Sequence, residues 1–295
     1  MACRGMACAG MAASRGGLLT RVAARGLTTA GGSRENGPAL LSDRRDAVAV
    51  LTLNRPKQRN ALSFDLLRRL EAELTAVQDD ESVRCVLIQA NGPAFCAGHD
   101  LREMTSEGFN TPEKHRELFT LCSRVMQLVE EIPQPVVAAT HGIATAAGCQ
   151  LAAAADVTVA TASCRFATPG VSIGLFCSTP AVPLVRAIGR KNAMDMLLTG
   201  RLVPANEARL MGLVSRTIEP PQQHTGIIED TTQHLQAEAF EIARQIAGRS
   251  GRALRIGKKT LRAQMDLDLK DAYEVANEAM IENMKTEDAV SKCQS

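Results

Sequence analysis

Thr140-His-Gly-Ile-Ala-Thr-Ala-Ala-Gly-Cys-Gln-Leu-Ala-Ala-Ala-Ala-Asp156 follows a strand-type apolar run, Pro135–Ala139, and leads into an alanine-rich segment with strong helical propensity. A strand that feeds a small-residue turn and then a helix leaves backbone N–H groups pointing outward without partners. Gly142, Ala144, Ala146, Ala147 and Gly148 carry almost no side chain, so a ligand could reach the main chain. Close packing of helix on strand accounts for the same stretch equally well.

The composition narrows the classes. At 295 residues with 45% hydrophobic content the chain can bury a proper core and is not a largely disordered polymer. Aromatics are 3% with no Trp, which argues against stacking platforms for single-stranded nucleic acid. The net charge of +2 hides an asymmetry. Residues 1–34 hold five arginines (4, 15, 21, 25 and 34) and no acid; without them 29 basic residues face 32 acidic ones. An arginine-bearing, acid-free, Ala/Gly/Ser/Thr-rich leader has the composition of a mitochondrial transit peptide, which predicts a matrix protein. No stretch approaches the ~18 uninterrupted apolar residues of a membrane span. The nine cysteines form no Cys-x-x-Cys pair, and no metal site is expected.

Working outward, Gly31–Asp46 reads as a polar loop and Ala47–Leu53 as a strand. Ser63 caps a helix carrying Leu66, Leu67, Leu70, Leu74 and Val77 at helical spacing. Cys85–Gln89 is a strand, Asn91–Asp100 a second small-residue loop, and Thr111-Pro112 opens a helix to about Glu131. Asp156–Ala160 is a further strand. Strand–strand–helix units thus run from 47 to about 160, an α/β core. From Thr179 the pattern turns helical, at 179–188, 191–199, 204–212, about 231–248, 250–263 and 268–284. A short strand at Leu213–Ile218 interrupts it, and a polar loop spans Glu219–Thr232. The expected organisation is a leader over 1–34, a core over 35–199 and a C-terminal helical, oligomerising subdomain over 200–295.

Two loops together carry a family resemblance. Phe95-Cys-Ala-Gly-His-Asp-Leu101 is similar to the F-x-[AS]-G-x-D-[LI] loop of the crotonase (enoyl-CoA hydratase/isomerase) family. Thr140-His-Gly…Gly148-Cys149 is similar to its N-G-x-x-x-G-G-G helix start. Asn54-Arg-Pro56, Arg59-Asn-Ala-Leu62, Phe166-Ala-Thr-Pro169, Leu198-Thr-Gly200 and Glu207-Ala208…Gly212-Leu-Val214 follow in the family's order. The resemblance implies the ClpP/crotonase spiral of strand–strand–helix units. It also implies an acyl-CoA thioester as ligand, no separate cofactor, a fatty-acid metabolic role and a homotrimer or hexamer. The thioester oxygen would sit between the backbone N–H groups of Ala97 and Ala147, donors worth roughly 2.7–4 kcal/mol each. The CoA would lie along Arg59, Ala61, Leu62, Ala97, Gly98, His99, Asp100 and Leu101, with Arg55, Lys57 and Arg59 near its phosphates. One further helix and a basic tail are also implied beyond residue 284, where the sequence runs only to Ser295.

The resemblance breaks at the proton carriers. The two hydratase glutamates correspond to Gln150 and Gly170, and an isomerase carboxylate position to Ser178. Gln cannot exchange a proton near pH 7 and Gly has no group, while each acid–base role is worth roughly 10²–10⁴ in rate. Weak or non-hydratase activity is therefore expected. His99 beside Asp100 is a substitute base, weighed against a loop-capping role. Cys149 and Cys177 read as packing residues, and His141 as fixing its turn. Arg252, Arg255, Lys258, Lys259 and Arg262 form a basic stripe at helical spacing. It reads as a solvated face, a CoA-phosphate contact across a subunit boundary or, least in keeping with an acidic body, an RNA-binding face.

Overall fold

The computed structural model describes residues 37–220 and 231–293; the leader and the centre of the 219–232 loop lie outside them. The strands are β1 (Leu40–Arg45), β2 (Val48–Leu53), β3 (Cys85–Ala90), β4 (Val136–Thr140), β5 (Ile143–Thr145), β6 (Val157–Thr161), β7 (Arg165–Ala167), β8 (Val203–Pro204) and β9 (Arg216–Ile218). The helices are α1 (Phe64–Gln78), α2 (Leu101–Met104), α3 (Pro112–Glu131), α4 (Ala147–Ala154), α5 (Ser178–Thr199), α6 (Ala205–Met211), α7 (Thr231–Ala247), α8 (Gly251–Gln264), α9 (Leu269–Met284) and α10 (Glu287–Cys293).

The large sheet has the order β1-β2-β3-β4-β6-β9, parallel except for the β1–β2 pair; β5, β7 and β8 make a small second sheet. Successive units place one strand in each sheet and then a helix, as in β4–β5–α4 and β6–β7–α5. This is the expected crotonase-type spiral. The expected loop over Gly31–Asp46 is corrected in part: Leu40–Arg45 pairs along all of β2 as an antiparallel edge strand.

The strands read as continuous apolar runs because both faces of the parallel sheet are covered. On one face Ala49, Leu51, Leu53, Val86 and Ile88 join a core with Leu66, Leu70, Leu74, Leu118, Leu121 and Val125 of α1 and α3. On the other, Val48, Val50, Leu87, Val137 and Val159 pack beneath Leu235, Ala239, Ile242 and Ala243 of α7. Each large aliphatic side chain buried this way contributes roughly 1.5–3 kcal/mol. The chain past residue 200 therefore continues the core: β8 and β9 join the two sheets, and α7 roofs the large one.

Helix starts follow their caps. Ser63 accepts from the Leu66 N–H, Thr111 from Lys114, Ser250 from Ala253, and Asp268 from Lys270 and Asp271. The expected break between 179–188 and 191–199 falls at Gly189, whose φ of 72° bends α5. Helix α8 is tied to the core by Lys258, whose side chain is 10% exposed. Its Nζ lies 2.6 Å from Asp156 Oδ2 and donates to the carbonyls of Val129 (3.2 Å) and Gln134 (3.0 Å). Asp156 Oδ2 in turn accepts the Val136 N–H at 2.7 Å, so one carboxylate joins α8 to the start of β4.

Candidate active site

The loop over residues 95–100 and the start of α4 lock together through main chain. The Cys96 N–H donates to Ile143 O (3.2 Å), and the Thr145 N–H to Cys96 O (2.9 Å). A Cβ on Gly148 would lie 2.2 Å from that Cys96 carbonyl oxygen, so only glycine lets the helix seat on the loop. Ala146, which enters α4, donates to Ala167 O at 2.9 Å and has φ 50° and ψ −117°, a conformation glycine favours. No side chain caps α4. Among the described residues the N–H of Ala147, its first residue, has no partner.

A second unpartnered N–H stands beside it, on a different residue from the one expected. The Leu62 N–H donates to Gly98 O (2.7 Å) and the Asp100 N–H to Leu62 O (3.2 Å). His99, between them, turns its own N–H away from Leu62, and among the described residues that N–H has no partner. A Cβ on Gly98 would lie 3.6 Å from Ala147 N, which sets the loop against the helix start. The Ala97 N–H instead donates to Arg59 O at 3.0 Å. Ala97 is thus corrected as a donor: its N–H closes the loop, and the free one belongs to His99.

The His99 ring packs edge-on to Phe119 of α3, with centroids 5.4 Å apart. Burial lowers its pKa to about 4 against a smaller upward pull from the Leu62 backbone, and neither ring nitrogen makes a full hydrogen bond. It is neutral at pH 7 and makes no hydrogen bond to Asp100, which does not support its use as a base. Asp100 caps α2 and pairs with Arg55 at 2.8 Å, with the two side chains 13% and 20% exposed. Arg55 also donates to Ala61 O. Arg55 is therefore committed to holding the loop, and it is corrected as a neighbour of phosphates.

Lys57 and Arg59 are exposed and, among the described residues, in no ion pair. Ala61 and Leu62 are buried, Gly98 has φ 97°, and Leu101 is 49% exposed. Asn60, fully buried, accepts from the Arg55 N–H and donates to the carbonyls of Asn91 and Ala94, joining the two loops.

The positions lacking carboxylates differ from one another. Gln150 lies on the first turn of α4, 3% exposed, with its Oε1 unpartnered among the described residues. It borders a cavity of about 490 Å³ lined also by α3, the start of α5 and the end of α8. At Gly170 there is no room: a Cβ would lie 2.6 Å from Leu175 O and 2.8 Å from Cys177 Sγ. Ser178 is exposed at the start of α5.

Burial pushes the Cys149 thiol up to about 12 and raises that of Cys177, so both are packed thiols. His141 is 4% exposed and its Nε2 bonds to Gly92 O at 2.8 Å, fixing its turn. The basic stripe divides. Lys258 is buried on Asp156, and Arg262 pairs with Glu131 at 3.1 Å, whereas Arg252 and Lys259 face outward. Among the described residues no cluster of His, Cys, Asp and Glu could hold a metal ion, and no helix is long and apolar enough to cross a membrane.

One group with chemical potential was not anticipated. Ser123, Met126, Gln127 and Glu130 recur along one stripe of α3 and face the Gln150 cavity. In sequence Glu130 and Glu131 are two glutamates at a helix end, and both border this cavity.

The family model described as enoyl-CoA hydratase/isomerase matches residues 43–294. Enoyl-CoA hydratase domain-containing protein 3, mitochondrial, of Rattus norvegicus is 42% identical over 86% of this chain and 80% of the rat protein. The crystal structure of the human protein of that name is 39% identical with a TM-score of 0.79, covering 87% of this chain and 96% of that one. That of an enoyl-CoA hydratase from Mycobacterium smegmatis is 42% identical with a TM-score of 0.79, covering 86% and 93%.

Proposed function

From the premise that this chain belongs to the enoyl-CoA hydratase/isomerase family, we propose that it binds an acyl-CoA thioester. The thioester oxygen sits between the backbone N–H groups of His99 and Ala147. Water-excluded donors fixed before the ligand arrives stabilise the negative charge that develops on that oxygen, aided by the dipole of α4. The observation that carries the reading is this pair of unpartnered N–H groups, set side by side by Gly98 and Gly148. The CoA runs along Ala61, Leu62, Gly98 and Leu101, with Lys57 and Arg59 free to meet phosphate.

Hydration is not the favoured reaction, because Gln150 and Gly170 carry no exchangeable proton. The relatives' names and the acid-free leader support a mitochondrial location and a role in fatty-acid metabolism. The family's trimer or hexamer is proposed as the assembly. Leu269, Tyr273, Met280 and Met284 of α9, 54–76% exposed, offer an apolar face for it.

Isothermal titration of the purified chain with acetoacetyl-CoA tests the reading. Saturable binding in the micromolar range is expected, and weakens when Gly148→Val displaces α4 from Cys96. No heat at high micromolar thioester overturns it.

A further inference from the structure

At the opposite end of β3 from the 95–100 loop, four arginines border one cavity of about 590 Å³. Arg84 precedes the strand, Arg249 stands in the turn between α7 and α8, and Arg252 and Arg255 follow on α8. Glu81 and Asp288 are the carboxylates of the lining, so four positive charges face two negative ones. The lining includes none of the residues given to the thioester. β3 is six residues long, so a strand length of roughly 20 Å separates Arg84 from Asn91, where the loop that carries His99 begins.

The arginines are held in place from several directions. Arg249, Arg252 and Arg255 recur every third residue, which sets them along one side of the turn and of α8. The N–H groups of Gly248 and Arg249 close back on Arg244 O and Ile246 O, both at 2.9 Å, and Ser250 caps α8, so the turn is fixed. Arg84 lies across it. Its Nη1 is 3.5 Å from Ala247 O, and a Cβ on Gly251 would lie 3.7–3.9 Å from its side chain. Among the described residues none of the four is in an ion pair. Asp80, close enough to feel Arg255, is engaged by Ser82 at 2.6 Å and by Arg44 at 3.8 Å.

This arrangement opposes the local rule. The first turn of a helix favours acids; α8 has none there and carries Arg252 instead. Like charges three residues apart also repel one another. Conflict of this kind, between a sequence and its own helix, is expected at functional positions.

We propose that this cavity is a second binding site, which takes a small molecule carrying two or more linked phosphates. The proposal is independent of the acyl-CoA reading. Guanidinium forks match phosphate oxygens in pairs and keep their donors in a fixed plane. Four forks present more donors than the oxygens of one phosphate can accept. No aromatic or large aliphatic side chain borders the space, so the polyanion itself is recognised rather than an attached base or acyl group. The bound anion bridges the start of β3, the turn, α8 and α10, and binding to the folded state alone stabilises it.

The probe is inorganic tripolyphosphate, titrated calorimetrically into the full chain at physiological ionic strength. Saturable one-to-one binding in the micromolar range is expected, with a rise of a few degrees in Tm at saturation. The double variant Arg249→Ala/Arg252→Ala should weaken it at least about tenfold and Arg252→Lys by less; Lys259→Ala, on α8 but outside the cavity, should leave it unchanged. Thermal melts without ligand establish that the variants fold. No saturation at millimolar tripolyphosphate, or a double variant that binds it like wild type, overturns the site. Loss of binding in Lys57→Ala would place the anion beside the thioester loops and overturn it equally. Retention on vesicles of anionic phospholipid, without affinity for tripolyphosphate, overturns it in favour of a charged face that meets lipid headgroups.

Discussion

Replacing Ala146 by glycine should make this protein more stable, against the usual effect of adding glycine beside a helix. Ala146 stands at φ 50° and ψ −117°, where its Cβ crowds the backbone. A non-glycine residue held in so sparse a region costs about 1–3 kcal/mol. Glycine relieves that strain. It adds unfolded-state entropy worth about 0.4–1 kcal/mol and forfeits part of a methyl's burial, about 0.8 kcal/mol when complete. The balance favours the variant by about 1 kcal/mol, which in a domain of this size is a rise of roughly 2–4 °C in Tm. Ala152→Gly is the counterpart, 1% exposed within the same helix, where propensity and burial both oppose glycine and about 2 kcal/mol should be lost. Urea unfolding and calorimetry of the two variants beside wild type give the comparison. If Ala146→Gly falls as far as Ala152→Gly, the turn into α4 is not strained and the reasoning fails.

His99→Phe should flatten the acid limb of stability. The folded ring holds a pKa of about 4 against an ordinary 6.5, so between those values the unfolded chain binds a proton the folded one does not. Wild type should lose up to about 3 kcal/mol as pH falls through that window, and the variant should not; parallel pH–stability curves would refute a buried neutral ring. Gly170→Glu should fail to fold normally, because its Cβ meets Leu175 O and Cys177 Sγ, while Gln150→Glu, facing a cavity, should melt near wild type. A Gly170→Glu protein with unchanged Tm would contradict the crowding.

Much of the architecture was legible because its signals are local. Thr111-Pro112 and the leucine spacing of α1 mark helices through caps and period, and Cys85–Ala90 marks a strand through unbroken apolarity. β1 escaped because only Leu40 of its six residues is buried; an exposed antiparallel edge carries the composition of a loop. The loop over residues 95–100 was legible, but not which of its N–H groups is left over. Backbone N–H groups are common to Ala97 and His99, and only the pairing of Leu62 with Gly98 and Asp100 decides which one is left over. The Gln150 cavity escaped for a related reason: it forms only where α4 and α5, distant in sequence, close a space against α3.

The seating of Gly148 against the Cys96 carbonyl leaves no slack between helix and loop. The two must shift as one body or not at all. A guest thioester would then find its socket already cast, and the ordering penalty that commonly accompanies capture would fall on the guest alone. Amide-exchange protection at Thr145 and Gln150, whose N–H groups brace that body, should consequently be as high in the empty protein as in the loaded one.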